Sequence, residues 1–415
     1  MEKSSKASHT SRRNFLKALG VSAALLFMGK EARTHLLEPI RLLNEDWDQA
    51  QKHTPESFLS ENKEQLKNVR IGCSFSLEQM EYLEFSITPQ DAVGFMKDKL
   101  GIQDVRLSFR SDRILSPDGS INFDYYDAYV QEFIRQGFQI CWNIDGFKVS
   151  RYPEHHFSKN LIEGIKLPPQ KTEVQLSDPL AQRILLYNKA LYKAIQDKYD
   201  LKSRFAKGDT LQGMNEAFTC AGDYAIKASV EFLEANILAL HQSFPEAKLL
   251  INSPGTPDSF MGRPTLIKVD DFIVNIYARY PELVGKLIAG FDWYGRTPTS
   301  FHPPGADRPL DMNAALQLTE GPEIMDQHRQ KARKHKFSSQ GTEIQWEPWG
   351  KHKTPGQSLA EFIFALTRSL KVCDTTKPTL LSLWGIENHL LTFANPTSEQ
   401  LSMRRIIKQI NKDSS

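Results

Sequence analysis

From Val69 onward, short apolar runs alternate with amphipathic stretches eight times, and few architectures satisfy that pattern. The runs Val69–Phe75, Asp104–Phe109, Gln139–Ile144, Thr210–Met214, Ala247–Ile251, Leu287–Trp293, Phe337–Thr342 and Thr379–Trp384 read as strands. Helical patterns near 88–99, 122–136, 178–198, 222–243, 269–284, 321–334, 356–372 and 397–411 follow them. Several open on start signals: Thr88-Pro89 with Asp91, Asp178-Pro179, Thr354-Pro355, and Asn395-Pro396 before Glu399. Strands regularly separated by helices are parallel and joined by right-handed crossovers. Eight such units predict one α/β domain, a closed (β/α)8 TIM barrel spanning 69–412, which a chain of 415 residues accommodates with long loops. The connections 145–177 and 294–320 are long and follow strands. They belong to the face where barrels build their sites.

The N-terminus carries a second signal. Ser11-Arg12-Arg13-Asn14-Phe15-Leu16-Lys17 precedes the apolar run Ala18 to Gly29, the layout of a twin-arginine export signal over residues 1–32. It implies the twin-arginine translocation machinery as a partner and a periplasmic or extracellular destination. Lys30-Glu31-Ala32 is a poor cleavage site, and an uncleaved run would tether the protein loosely to the membrane. Residues 33–68 read as a polar spacer or outer helix. The first thirty residues hold six lysines and arginines against Glu2, so an overall charge of +2 leaves the rest mildly acidic, at −3. Such a body has no footprint for nucleic acid. The basic run Lys331 to Lys336 reads as a solvated helix end. Cys73, Cys141, Cys220 and Cys373 have neither disulfide-framework nor metal spacing and read as small buried residues.

Chemistry concentrates at the strand ends. Glu216, in Gly213-Met-Asn-Glu-Ala217, closes the fourth strand run, and Glu343, in Gly341-Thr-Glu-Ile344, closes the seventh. In a barrel these ends face each other across the mouth. Two carboxyls there, one protonated and one ionised, suit glycoside cleavage. With Asn215-Glu216 and Thr342-Glu343 in those places, the chain resembles the retaining glycosidases of glycoside hydrolase clan A over roughly residues 69–412. The resemblance implies Glu216 as acid/base and Glu343 as nucleophile. Arg106-Leu-Ser-Phe-Arg110 with Arg113 to Gly119 is similar to the strand-two signature of family 1 β-glucosidases, implying that Arg106 braces the nucleophile. Ala289-Gly-Phe-Asp-Trp-Tyr-Gly295 is similar to the clan's sixth strand, which makes Tyr294 a hydrogen-bond partner of Glu343. Leu383-Trp384-Gly385 matches the tryptophan flooring the sugar subsite.

Strand three departs from the pattern: Cys141-Trp-Asn-Ile-Asp-Gly146 lacks the usual histidine, and Asn143 or Asp145 would substitute. Asn215 would donate to a sugar hydroxyl, and Trp384, Trp346, Trp349 and Trp293 offer flat faces for a pyranose. Glu347 competes with Glu343 but precedes Pro348 in a loop. His155-His156 reads as a surface loop feature. The expectation is a retaining, metal-independent O-glycosyl hydrolase without a cofactor, acting on an oligo- or polysaccharide by double displacement at a β-glycosidic bond. A non-catalytic glycan-binding barrel is the alternative, since fold does not fix function. A metal-dependent sugar isomerase-like barrel fits less well, because the chain lacks His-x-His and H-E-x-x-H patterns.

Overall fold

The computed structural model describes residues 45–150, 155–220, 224–254, 265–293, 322–345 and 358–414. Ten strands occur in chain order: β1 Val69–Phe75, β2 Asp104–Phe109, β3 Gln139–Ile144, β4 Glu173–Val174, β5 Thr210–Gln212, β6 Lys227–Ala228, β7 Lys248–Pro254, β8 Leu287–Trp293, β9 Ser338–Gln345 and β10 Thr379–Trp384. Eight of them, all but β4 and β6, pair in parallel and close a barrel in the order β1-β10-β9-β8-β7-β5-β3-β2. The eightfold alternation therefore folds as a TIM barrel. The strands are largely buried on both faces because helices cover the outside and side chains fill the inside. Trp142, Phe109, Phe133 and Phe138 are among the largest fully buried residues.

Strand ends shift by a few residues, with β7 running on to Pro254 and β9 to Gln345, which places Glu343 inside the seventh strand rather than at its close; three elements differ further from the sequence expectation. The fourth barrel strand, β5, stops at Gln212, two residues before Met214, because the chain turns sharply into Asn215 and Glu216. The helix expected over 222–243 begins at Val230, capped by Ser229, whose side chain accepts from Phe232 N. The apolar residues before it enter β6 instead, which pairs in parallel with β4. That two-stranded sheet joins the loop after β3 to the loop after β5. Finally, the last helix begins at Ser398, where Thr397 and Gln400 form the capping box, so Asn395-Pro396 lies ahead of the cap.

Strand β9 carries a bulge. Gly341 pairs with Phe291 and Glu343 with Asp292, so Thr342 is the extra residue, and the register against β10 shifts at the same place. A bulge points two successive side chains to one face. Thr342 and Glu343 are accordingly both buried at the mouth. The neighbouring Gly290 leaves room there, since a Cβ on it would sit 2.7 Å from Asn252 Cβ.

Before β1, residues 45–52 and the helix Pro55–Glu61 dock on the outer wall. Trp47 meets Phe364 edge-on, Asp46 pairs with Arg368 and Lys371, and Phe58 is fully buried. On the outer layer, His328 Nδ1 lies 2.8 Å from Asp270 Oδ1 and its Nε2 lies 2.6 Å from Ser339 Oγ. His328 and Asp270 are fully buried, so this array locks the helices Thr265–Arg279 and Pro322–His335 to β9. The expected twin-arginine signal, the membrane association expected with it and the connection 294–320 lie outside the described residues.

Candidate active site

Arg106, on β2, organises the mouth of the barrel. Its guanidinium is fully buried and can only donate. It gives Nε to Gln212 Oε1 at 2.7 Å, Nη1 to Glu343 Oε1 at 2.6 Å, and Nη2 to Asn215 Oδ1 at 2.6 Å. Those bonds fix which atom of each amide is the oxygen. Gln212 then presents Nε2 to Asn252 Oδ1 at 2.6 Å, an oxygen that also accepts from Glu216 N at 3.0 Å. Asn252 Nδ2 is left to donate to Asn215 Oδ1 at 2.9 Å and to Asp292 Oδ2 at 2.7 Å. Burial works against the Arg106 charge, but Glu343 and Asp292 outweigh it and raise its pKa above the ordinary value.

Glu216 sits in the turn after β5 with φ +43, a left-handed conformation uncommon for a residue with a side chain. The neighbouring backbone holds it there. Asn215 N donates to Lys148 O at 3.0 Å, and the buried Lys148 Nζ donates to Glu216 O at 2.9 Å and Thr219 O at 3.1 Å. Ala228 N in β6 donates to Ala217 O, so the β4–β6 sheet backs the same turn. Glu216 is only 3% exposed and Glu343 4%.

Oxygen atoms of Glu216, Glu343 and a third acid, Asp292 of β8, all lie within 4.8 Å of one another. Among the described residues this group is dense enough in acids to hold an ion. Arg106 already sets a positive charge against Glu343 within it. Burial first, then the charges of Glu343 and Glu216, hold the Asp292 carboxyl well above the usual carboxylate range.

Glu216, Glu343, Arg106 and Asn215 thus converge. Trp384, at the end of β10, is nearly buried at 8% exposed. Tyr294 and Trp346 lie outside the described residues, as do Glu347 and Trp349. Asn143 uses its amide on the protein: Nδ2 donates to Gly213 O at 2.6 Å, and Oδ1 accepts from Ser150 N at 2.6 Å. His155 is buried among Phe147, Phe157 and Tyr224 rather than on the surface expected for it, because the loop after β3 folds back over aromatic rings. The acid-near-a-strand-end pattern that singles out Glu343 also applies to Asp292, an acid absent from the expected site. Asn252, Gln212 and Lys148 carry no comparable sequence signal.

Asp145 belongs to a separate buried network behind the site. It accepts from Phe147 N at 2.6 Å, Asn188 Nδ2 at 2.9 Å and Asn236 Nδ2 at 2.8 Å. Burial nevertheless pushes its pKa up to about 6 from the ordinary 3.8, the hydrogen bonds opposing the rise. The fold therefore favours the neutral acid. That stabilisation is whole below the unfolded pKa and is lost as pH rises through about 6. A rise of that size is worth about 3 kcal/mol. Asn at this position keeps the bond from Phe147 N and can donate to Asn236 Oδ1 if that amide turns over, since Asn236 Oδ1 lacks a partner among the described residues; it loses the bond from Asn188 Nδ2, whose orientation Gly146 N fixes, a cost that does not vary with pH. Asp145→Asn should therefore gain about 3 kcal/mol relative to wild type between acid and neutral pH, read from urea unfolding at a series of pH values. A difference that stays flat with pH would place the Asp145 pKa at its ordinary value.

No protein-family model matches the sequence, and neither does any curated protein. Solved structures do. The catalytic domain of a β-amylase from Paenibacillus polymyxa aligns with 83% of this chain and 98% of its own, at 10% identity and a TM-score of 0.53. The likeness is one of fold: a (β/α)8 barrel. A family 5 xyloglucanase from Paenibacillus pabuli aligns with 83% of this chain and 99% of its own, at 14% identity and a TM-score of 0.49. A GH5-4 endoglucanase from Clostridium longisporum gives 84% and 98%, at 10% identity and 0.48.

Proposed function

We propose that the protein is an exported retaining glycoside hydrolase, with Glu343 as nucleophile and Glu216 as acid/base. The observation that carries this reading is the approach of the two glutamates. Their oxygens lie within 4.8 Å of one another, one glutamate in the turn after β5 and the other near the end of β9, across the barrel mouth. Retaining enzymes hold their carboxyls about 5–5.5 Å apart, whereas inverting enzymes need about 6.5–9.5 Å to admit a water. Arg106 supports an ionised Glu343 by a direct ion pair. Glu216 then protonates the departing oxygen and later activates the water that releases the glycosyl group. The barrel shared with a β-amylase catalytic domain agrees with a carbohydrate substrate. The β configuration of the scissile bond comes from the clan resemblance, and export from the twin-arginine frame at Ser11 to Lys17.

The test is a panel of aryl β-glycosides with a mechanism-based fluoro-sugar inactivator, read by intact mass. Wild type should gain one glycosyl mass and Glu343→Gln none. Labelling that persists in Glu343→Gln would remove Glu343 from the nucleophile role. An absence of both labelling and turnover across the panel would favour a glycan-binding barrel.

A further inference from the structure

We propose that Asp292 is a third functional carboxyl of this site, carried as the neutral acid, with its proton donated to Thr342 Oγ1. Counting donors around it leads there. Asn252 Oδ1 faces a backbone N–H, that of Glu216, so Asn252 Nδ2 must be the atom facing Asp292 Oδ2. Asp292 Oδ2 is therefore an acceptor. The other oxygen, Oδ1, lies against the Thr342 hydroxyl. That hydroxyl also meets Phe291 O at 3.1 Å, and a carbonyl oxygen can only accept. A threonine has one proton. Given to Phe291 O, it leaves Thr342 Oγ1 as the acceptor and Asp292 Oδ1 as the donor.

The surrounding charges agree with that direction. Asp292 is faced by Glu343 from β9, Glu216 from the turn after β5 and Arg106 from β2. With Glu216 holding the proton it gives as the acid, ionised Glu343 and Asp292 would still set two buried negative charges against the one guanidinium that faces them among the described residues, an excess that proteins avoid by protonation. With Asp292 neutral, the pair Arg106–Glu343 is balanced and Glu216 keeps its capacity to take and give a proton. Asp292 is thus a positioning residue: through Asn252 and Thr342 it fixes the neighbours of both glutamates while adding no charge. Its service to catalysis rests on the glycosidase reading above; its protonation does not.

The two are tested separately. Infrared difference spectra of the full chain at neutral pH, wild type minus Asp292→Asn, should show a protonated-carboxyl band assignable to Asp292. Thr342→Val, which removes the acceptor, should move that band to higher frequency. Asn at 292 can accept from Asn252 and donate to Thr342, reproducing the neutral acid, whereas Ala can do neither. On whichever glycoside the panel identifies, Asp292→Asn is expected to lose less than about tenfold in kcat/KM and Asp292→Ala more than about a hundredfold. A neutral-pH spectrum lacking the Asp292 band, or Asn proving as damaging as Ala, would overturn the proposal. Failure of the inactivator to label Glu343 alongside a clear Asp292 band would instead remove the glycosidase reading and leave the protonation standing.

Discussion

Glu343→Ala is expected to lower kcat by roughly 10⁴-fold or more on an aryl β-glycoside, because a double displacement cannot begin without the attacking carboxylate. The variant should also lose stability, since it leaves the buried Arg106 guanidinium without its counter-charge, so the rate is read on protein shown by circular dichroism to be folded. A small anionic nucleophile such as azide should restore part of the rate. The vacated space lies beside the Arg106 guanidinium, which held Glu343 Oε1 at 2.6 Å and remains to attract an anion. The rescued product should have the anomeric configuration opposite to that of the wild-type product, because a single displacement replaces two. Chromatography of the glycosyl azide reads both the rate and the stereochemistry. Full activity in Glu343→Ala would sink the mechanism.

Arg106→Met should have the largest effect on stability. The guanidinium is fully buried and makes three side-chain hydrogen bonds, one of them in an ion pair with Glu343. Removing one partner of a buried pair typically costs about 3–5 kcal/mol, since the other charge loses its compensation. Methionine fills comparable volume but takes the Arg106 donor from Gln212 Oε1 and leaves Asn215 Oδ1 with Asn252 Nδ2 in place of two strong donors. Denaturant midpoints should fall accordingly. Adding Glu343→Gln to Arg106→Met should recover part of the loss, because a neutral amide needs no counter-charge. Two losses that simply add would show the pair to be uncoupled.

The barrel was legible because its strands are buried on both faces. Runs such as Val69–Phe75 and Asp104–Phe109 are buried almost from end to end, rich in apolar residues and flanked by polar ones, and their limits match the observed strands. Errors arose where apolar residues serve a turn. Met214 extends the β5 run in sequence, yet the chain has already left the sheet. Ile226 and Ala228 extend a helical pattern, yet they wall in the Glu216 turn through β6.

At the site, acids closing strand-like runs stand out in the sequence, which singles out Glu216 and Glu343, whereas Arg106, inside β2, is marked only by the likeness of its strand to a family signature. Asp292 is an acid of the same kind, but it sits between Phe291 and Trp293 in an aromatic run whose more conspicuous polar group is the phenol of Tyr294. Lys148 follows a different logic. A lysine in a loop ordinarily reads as solvated, and only tertiary structure turns its ammonium onto the Glu216 carbonyl. Asn252 and Gln212 are neutral amides whose importance lies in the direction of their donors, a property composed by neighbours and absent from any one-dimensional pattern.

The bulge at Thr342 makes the site sensitive to counting rather than to composition. Side chains along a strand face alternate sides, and the extra residue is what brings Thr342 and Glu343 to one side together. Deleting a single residue at the bulge would leave every barrel strand able to pair while withdrawing one of those side chains from the mouth. Substitutions along β9 could therefore be tolerated one at a time over long divergence, whereas a one-codon slip would abolish the chemistry at a stroke with the barrel still closed. The lineage of such a site should vary in letters and hold its spacing.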